Sequence, residues 1–363
     1  MSDWRSLEVF GLAKAEKQVW LLGELNRLTQ LHQVNCQPYA NLLAGQNQQA
    51  GVAESLDAVP FVAARLFKML RLSSTLPDNV FKTLTSSGTT SQVKSQIVLD
   101  RDTAALQSKV LVSLLSSFTG KARRPMLIID HDGLTGDKAG FSARGAGVQG
   151  LSFLGRDHTY ALNADMTPNW PAIDEFIEKY ADEPVLIFGF TFMVWQHFIQ
   201  PLIVSGRSNQ LPQALLFHSG GWKKLQDQAV SNDTFKVTVR QALGEQVAIH
   251  NFYGMVEQIG SVFVECEHGH LHAPSYADVI IRDQETLAEQ SIGEIGLIQV
   301  LSFIPTSYPG HSILTEDLGR LLGEDNCPCG RKGRYFEVLG RLPKTEVRGC
   351  SDVFYYSTMG WHF

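Results

Sequence analysis

Thr85-Ser86-Ser87-Gly88-Thr89-Thr90-Ser91, with Lys94 just beyond it, packs hydroxyls, backbone amides and a glycine into one short run. Glycine lets a backbone approach an anion without a Cβ in the way. Consecutive N–H groups can form an anion-binding nest, and each Ser or Thr adds a donor that is easily ordered. The run therefore points to the phosphates of a nucleoside triphosphate. Read alone, it decides little, because Ser/Thr/Gly clusters are more often solvated turns. Its spacing does exclude two common alternatives. It lacks the glycine pattern of a dinucleotide-binding turn, and it lacks the Gly-Lys-Ser/Thr ending of a Walker loop, which argues against hydride transfer and P-loop hydrolysis.

Size and charge narrow the reading. A chain of 363 residues with 44% apolar content can bury a large core, expected here as one big domain with subdomains. A formal charge of -6 leaves no basic footprint, so no nucleic-acid partner is expected. Lys14, Glu16, Lys17, Glu24 and Arg27 interrupt the apolar N-terminal stretch. Neither a signal peptide nor a membrane span can be drawn there, and the expected location is cytoplasmic. Five cysteines (Cys36, Cys266, Cys327, Cys329, Cys350) are too few and too unevenly spaced for a disulfide framework and suggest metal or thiol chemistry.

Leu7, Phe10, Leu21, Leu25, Leu28 and Leu31 recur at near-helical spacing, and a second apolar helix is expected near Phe61 to Leu70. Four doubly apolar runs follow: Met126 to Ile129, Val185 to Phe188, Leu215 to Phe217 and Val247 to Ile249. Such runs belong in the middle of a parallel sheet covered by helices on both faces, and ligands bind beyond the carboxyl ends of such strands. Each run leads into a polar cluster: Asp130-His131-Asp132-Gly133, Gly189-Phe190-Thr191, His218-Ser219-Gly220-Gly221-Trp222-Lys223 and His250-Asn251-Phe252-Tyr253-Gly254. These four ends are expected to line one crevice. After about Gly260, shorter alternating stretches such as Val279 to Ile281 and Ile295 to Val300 suggest a small antiparallel or barrel-like subdomain.

Tyr253-Gly254-Met255-Val256-Glu257, Thr315-Glu316-Asp317-Leu318-Gly319 and Gly340-Arg341 follow the hydroxyl run in that order. Together they resemble the motif series of the adenylate-forming enzymes, which join a carboxylate to AMP. The resemblance runs from about Pro60 to Cys350 and is nearest to the branch that joins phenylacetate–CoA ligase to the acyl-protein synthetase of bacterial luminescence. It implies an α/β fold: a large domain of parallel-sheet subdomains flanked by helices, a small β-barrel-like subdomain, and a C-terminal domain largely absent. The expected division is 1–340, with a helical start, α/β subdomains to about 260 and a β subdomain over about 261–340, then 341–363 as hinge and truncated C-terminal segment.

The same resemblance assigns roles. Ser86, Ser87, Gly88, Thr89 and Thr90 would wrap ATP phosphates, and Gly220, Gly221, Tyr253 and Gly254 would border the adenine. Asp317 would accept from the ribose, and Arg341 belongs to the hinge pair. Glu257 would hold Mg²⁺, an ion that takes few protein carboxylates and completes its shell with phosphate and water. The implied reaction joins a carboxylic acid, expected to be fatty, to AMP and then to a protein thiol as thioester, for delivery to a partner acyl reductase or carrier protein. Cys350 matches the position of that thiol, so Cys350, Glu257 and Lys94 are the expected catalytic residues. Three departures stand against the family pattern: Ser91 in place of glycine, Val93 in place of proline, and Trp222 in place of a carboxylate. Two other readings stay open: an acyl- or aryl-CoA ligase, and a nucleotide-binding subunit without activity.

Cys266-Glu267-His268-Gly269-His270-Leu271-His272 and Cys327-Pro328-Cys329-Gly330 offer three thiols and three imidazoles, enough for a closed tetrahedral zinc site. The family resemblance selects Cys266, His272, Cys327 and Cys329, and leaves His268 and His270 as solvated loop residues. Four protein ligands leave no open position, so the expected role of the zinc is structural.

Overall fold

In chain order the strands are β1 (Val62–Ala63), β2 (Lys82–Thr85), β3 (Gln96–Leu99), β4 (Arg124–Ile128), β5 (Gly155–Tyr160), β6 (Leu186–Phe190) and β7 (Leu215–Ser219). They continue as β8 (Ala248–Tyr253), β9 (Phe263–Glu265), β10 (Leu271–His272), β11 (Ala277–Arg282), β12 (Ile295–Ser302), β13 (Ser312–Glu324) and β14 (Arg334–Arg341). The computed structural model describes residues 4–45, 52–85, 94–135, 143–207, 211–222 and 229–342. Two units emerge from the packing, one of Met1–Phe81, Ile97–Leu99 and His272–Phe363, the other of Lys82–Gln96 and Asp100–Leu271.

The second unit is built on strands in the order β9-β8-β7-β6-β4-β5. All neighbours from β8 to β5 are parallel, and β9 is antiparallel to β8. Each of the four apolar runs forms one of these strands. Leu127, Ile129, Ile187, Leu216 and Ile249 point to one face, where Ile173 and Phe176 of helix Trp170–Tyr180, Val194 and Phe198, and Phe235 and Val239 of helix Asn232–Leu243 cover them. Met126, Ile128, Phe188 and Phe217 are equally buried on the other face. Period-2 alternation cannot show in a strand covered on both sides, hence the continuous apolar runs. Helix Arg101–Thr119 starts where Asp100 accepts a hydrogen bond from Thr103 N at 2.8 Å and stops at Gly120, whose φ of 76° only glycine adopts readily.

After β6 the chain enters a single turn, Thr191–Met193, then a π-helical stretch over Val194–Ile199, before resuming as α-helix at Gln200–Val204. Pro201 has no N–H for the carbonyl four residues back, which accounts for the loosened turn before it.

The first unit contains the antiparallel meander β11-β12-β13-β14, with β1 added parallel to β13 through Val62↔Ile313 and Ala63↔Leu314. Two helical expectations change here. The first helix begins only at Lys14, so Leu7 and Phe10 precede it, while Leu21, Leu25 and Leu28 are fully buried. Of Phe61 to Leu70, only Leu66–Met69 is helical. Pro60 and β-branched Val62 favour extended backbone, and the N–H of Ala64 reaches Leu314 O at 2.9 Å. No helix among the described residues is long and apolar enough to cross a membrane.

Helix Lys14–Asn35 is fixed to this meander by a buried charge pair. Lys17 Nζ lies 3.5 Å from Asp278 Oδ1, and both side chains are 2% exposed. The ammonium also donates to Ala273 O at 3.2 Å. Burial pushes the Lys17 pKa down, and the Asp278 carboxylate works against that shift. Replacing Lys17 with Met strands a buried carboxylate, so Lys17→Met lowers unfolding free energy by about 3–5 kcal/mol in urea titrations, and Asp278→Leu on top of it recovers most of the loss.

Candidate functional site

The carboxyl ends of the parallel strands come into one row. Phe190 of β6 pairs in register with Ser219 of β7, and Ser219 with Phe252 of β8. Ser219 Oγ donates to Phe252 O at 2.8 Å, which ties β7 to β8 just before both chains leave the sheet. Gly220 follows with φ of 84°, and a Cβ there would sit 3.3 Å from the Phe190 ring. The aromatic lip and the turn conformation therefore both call for glycine at this position. Gly220 and Gly221 are exposed, while Phe190, Trp222, Phe252 and Tyr253 are half-buried around them. Gly254 leaves the sheet beside Val262, whose Cγ1 would lie 3.0 Å from an added Cβ.

Glu257 sits in a short 3-10 turn, Val256–Gln258, and is 8% exposed. Its Oε1 accepts a 2.6 Å hydrogen bond from Ser95 Oγ, a residue 162 positions earlier and fully buried. Ser95 follows Lys94, which is exposed at the far end of the hydroxyl run. Behind the turn, Gly260 has φ of 90° and approaches helix Arg101–Thr119 so closely that a Cβ would lie 3.0 Å from Gln107 Cα. Ser86, Ser87, Gly88, Thr89 and Thr90, with Ser91 and Val93, lie outside the described residues, as does Cys350.

Beneath the glycines, His218 is 1% exposed and its Nδ1 meets Thr191 Oγ1 at 2.9 Å. Its ring packs 4.4 Å from that of Phe235, while Trp195 stacks on Phe235 and meets Trp222 edge-on. Burial, with smaller effects from Lys236 and His250, pushes the His218 pKa down to about 3, so the imidazole is neutral. Nearby, Glu265 is buried but fully engaged: Lys236 Nζ at 2.9 Å, Asn232 Nδ2 at 2.6 Å and the Asn251 N–H at 3.2 Å all serve it. At the end of β4, buried Asp130 accepts from its neighbour His131 N at 2.9 Å and pairs with Arg144 Nε at 2.9 Å. Burial nevertheless raises its pKa.

In the first unit, Asp317 and Arg341 stand opposite each other on β13 and β14, with Arg341 Nε 3.2 Å from Asp317 Oδ1. Thr315 Oγ1 accepts from the Asp317 N–H at 3.1 Å and donates to Ile298 O at 2.8 Å, which fixes the strand that presents the carboxylate. The ligating atoms of His272, Cys327 and Cys329 lie within 4.8 Å of one another, with Cys329 Sγ 3.3 Å from His272 Nε2. Cys266 belongs to the other unit. It is buried at the start of the turn that returns the chain to His272, and its N–H donates to His270 O at 2.8 Å. His268 is exposed and His270 partly so.

A family model described as "Acyl-protein synthetase, LuxE" matches residues 12–357. The chain belongs to this family. A long-chain-fatty-acid–luciferin-component ligase of Vibrio harveyi is 27% identical over 134 residues, 36% of this chain, and the match spans only 34% of that protein. Crystal structures of a 2-hydroxyisobutyryl-CoA ligase share the fold. The open form with 2-HIB-AMP and CoA matches 97% of this chain and 83% of its own at 15% identity and a TM-score of 0.68. The form in the thioesterification state matches 92% and 69% at 16% identity and 0.69.

Against this acyl-protein synthetase background, Ser95, next to Lys94, donates to Glu257 of the Tyr-Gly-Met-Val-Glu segment. Ser95 itself carried no signal in the sequence, because a serine beside a phosphate-type loop is unremarkable until its partner is known. Gln107 was equally silent, whereas Thr191 belongs to one of the polar strand ends singled out in the sequence. Phe188 is core at 1% exposure, whereas Phe190, Phe192 and Trp195 reach the surface of their unit.

The neutral His218 predicts an acid limit to stability. Unfolded histidine titrates near 6.5, and the folded ring resists protonation down to about pH 3. Between these values the unfolded chain binds more protons. The contribution is therefore complete above about pH 6.5 and is lost as pH falls toward 3. His32, buried and also held at about 3, acts in the same sense. Melting temperature is expected to be level above pH 6.5 and to fall steadily below pH 6, with a shallower slope in His218→Asn, measured by calorimetry in matched buffers.

Proposed function

We propose that this chain activates a carboxylic acid with ATP and passes the acyl group to a protein thiol. The observation that carries this reading is the Ser95–Glu257 hydrogen bond. It sets the end of the hydroxyl run against a buried carboxylate, in the same unit as the Gly220 turn and Tyr253. Family membership supports the reaction class.

In the first step a carboxylate oxygen of the acid attacks the α-phosphorus of ATP and pyrophosphate leaves with the bonding pair, giving acyl-AMP. A carboxylate is a poor electrophile, and AMP converts its oxygen into a leaving group. The Ser86 to Thr90 hydroxyls and amides, with Lys94, bind the phosphates and oppose the charge that builds on them. Tyr253 stacks on the base, Gly220 and Gly221 let it approach the backbone, and Asp317 accepts from the ribose. Glu257 fits a magnesium site, since Ser95 orients its carboxylate and Mg²⁺ needs only one or two such ligands. When bound, the ion neutralises phosphate charge. In the second step the Cys350 thiolate attacks the acyl carbonyl, the carbon–oxygen bond to AMP breaks, and a thioester forms. The substrate is proposed to be a fatty acid, and a partner such as an acyl reductase or carrier protein takes the product.

His272, Cys327 and Cys329 fit structural zinc in donor chemistry, two thiols and one imidazole with Cys329 half-buried, and the family resemblance supplies Cys266 as the proposed fourth ligand. Its role would be to hold the 325–333 loop.

Three measurements test these proposals. Pyrophosphate exchange into ATP should depend on added fatty acid and drop on the order of 100-fold in Glu257→Gln. Labelled acyl groups should stay on the protein, leave with hydroxylamine, and be absent in Cys350→Ser. Acid-independent exchange would remove the activation step, and AMP release that needs CoA with no labelled protein would reassign the acceptor. For the metal, protein purified without added zinc should carry about one zinc per chain and lose most of it in Cys327→Ser. Zinc content unchanged by that substitution would remove the site.

A further inference from the structure

The residues before the first long helix run along the loop that bears Cys327 and Cys329. Val9 O accepts from Ser275 N at 2.7 Å, and Glu8 O accepts from Ser275 Oγ at 2.7 Å, three residues beyond His272. Phe10 O accepts from Lys332 N at 2.9 Å, three residues beyond Cys329. Asp325 completes the attachment. Its Oδ2 accepts from Lys14 N at 2.9 Å and its Oδ1 from Gly333 N at 2.7 Å. The segment is thus sewn to both stretches of chain that carry the clustered ligands.

Phe10 sits between the two sewn edges. Its ring meets the His272 imidazole edge-on at 6.0 Å, and the Arg331 guanidinium lies over it, 5.5 Å from the centroid. Arg331 in turn hydrogen-bonds to Cys329 through both backbone and side chain. On another side of the imidazole, Tyr335 stacks at 5.5 Å with an interplanar angle of 23°, and its hydroxyl donates to Asn326 Oδ1 at 3.0 Å within the same loop. His272 is fully buried as a result, with Nε2 turned to Cys329. A ring held against two neighbours has one orientation available, and a thiolate sulfur that accepts N–H bonds keeps its lone pairs directed. Such outer contacts typically change metal affinity by about 10–100-fold when removed.

We infer that Phe10 and Arg331 are positioning residues of the Cys/His metal site, and that docking of the segment around Glu8 to Leu12 and metal binding stabilise each other. This rests on the zinc reading given above. The coupling is reciprocal: a segment that holds ligands in place for the ion is itself held better when the ion is present.

The test uses the full-length chain loaded with zinc or cobalt(II). In Phe10→Ala and Arg331→Ala, zinc should pass to a colorimetric chelator about 10–100-fold faster than from the wild type. Arg331→Ala should also move the sulfur-to-cobalt charge-transfer band to longer wavelength, which a purely structural loss would leave in place. Should either variant fold poorly, the wild type alone decides: stripping its zinc should speed hydrogen exchange at the Ser275 and Lys332 amides. Wild-type protein that takes up zinc but shows unchanged exchange on stripping, or variants that release zinc at the wild-type rate, overturn the coupling and leave the metal site standing. Wild-type protein that never takes up zinc overturns both.

Discussion

A buried hydrogen bond of 2.6 Å, Ser95 Oγ to Glu257 Oε1, is the constraint on which the rest of the second unit depends. A carboxylate at 8% exposure is costly without a donor, and a hydroxyl of zero exposure without an acceptor equally so. The pair satisfies both and so fixes where the chain after the hydroxyl run must go. Everything around it serves that placement. Gly260 lets the turn press on helix Arg101–Thr119, and the helix is itself stopped at Gly120 and started at Asp100. The Ser219 bond to β8 keeps the neighbouring strand ends level with it.

Polar burial elsewhere follows the same rule with different partners. Glu265 has three donors and Lys17 has Asp278 and a carbonyl. His218 is accommodated by staying neutral instead. The Asp317–Arg341 pair lies at the other extreme: Arg341 is 62% exposed, so solvent screens the contact and it contributes little to stability. Such a weak pair is easily exchanged for another partner, which suits two residues proposed to serve a ligand and a hinge.

Much of the fold was legible because parallel strands covered on both faces leave unbroken apolar runs. Met126 to Ile129, Val185 to Phe188 and Leu215 to Phe217 needed no further information. The run near Phe61 misled because a short apolar stretch has no period of its own, and the pairing of Val62 with Ile313 is a contact 251 positions away in sequence (313 − 62). Helical periodicity similarly overran the first helix at its start: Leu7 and Phe10 are apolar for contacts made by a non-helical segment, and Phe10 packs on His272 and Arg331.

The sequence by itself determined the kinds of chemistry available: a hydroxyl-rich run, a Tyr-Gly-x-x-Glu segment, a Thr-Glu-Asp and a Gly-Arg motif, and cysteines and histidines in two clusters. These depend on residue type and local spacing, which are linear properties. Only the tertiary structure decided which of them meet. Ser95 finds Glu257, His218 is buried beneath Gly220, and His272 closes on Cys329 with Phe10 against it, because strand register and helix packing join residues through space without leaving a local pattern.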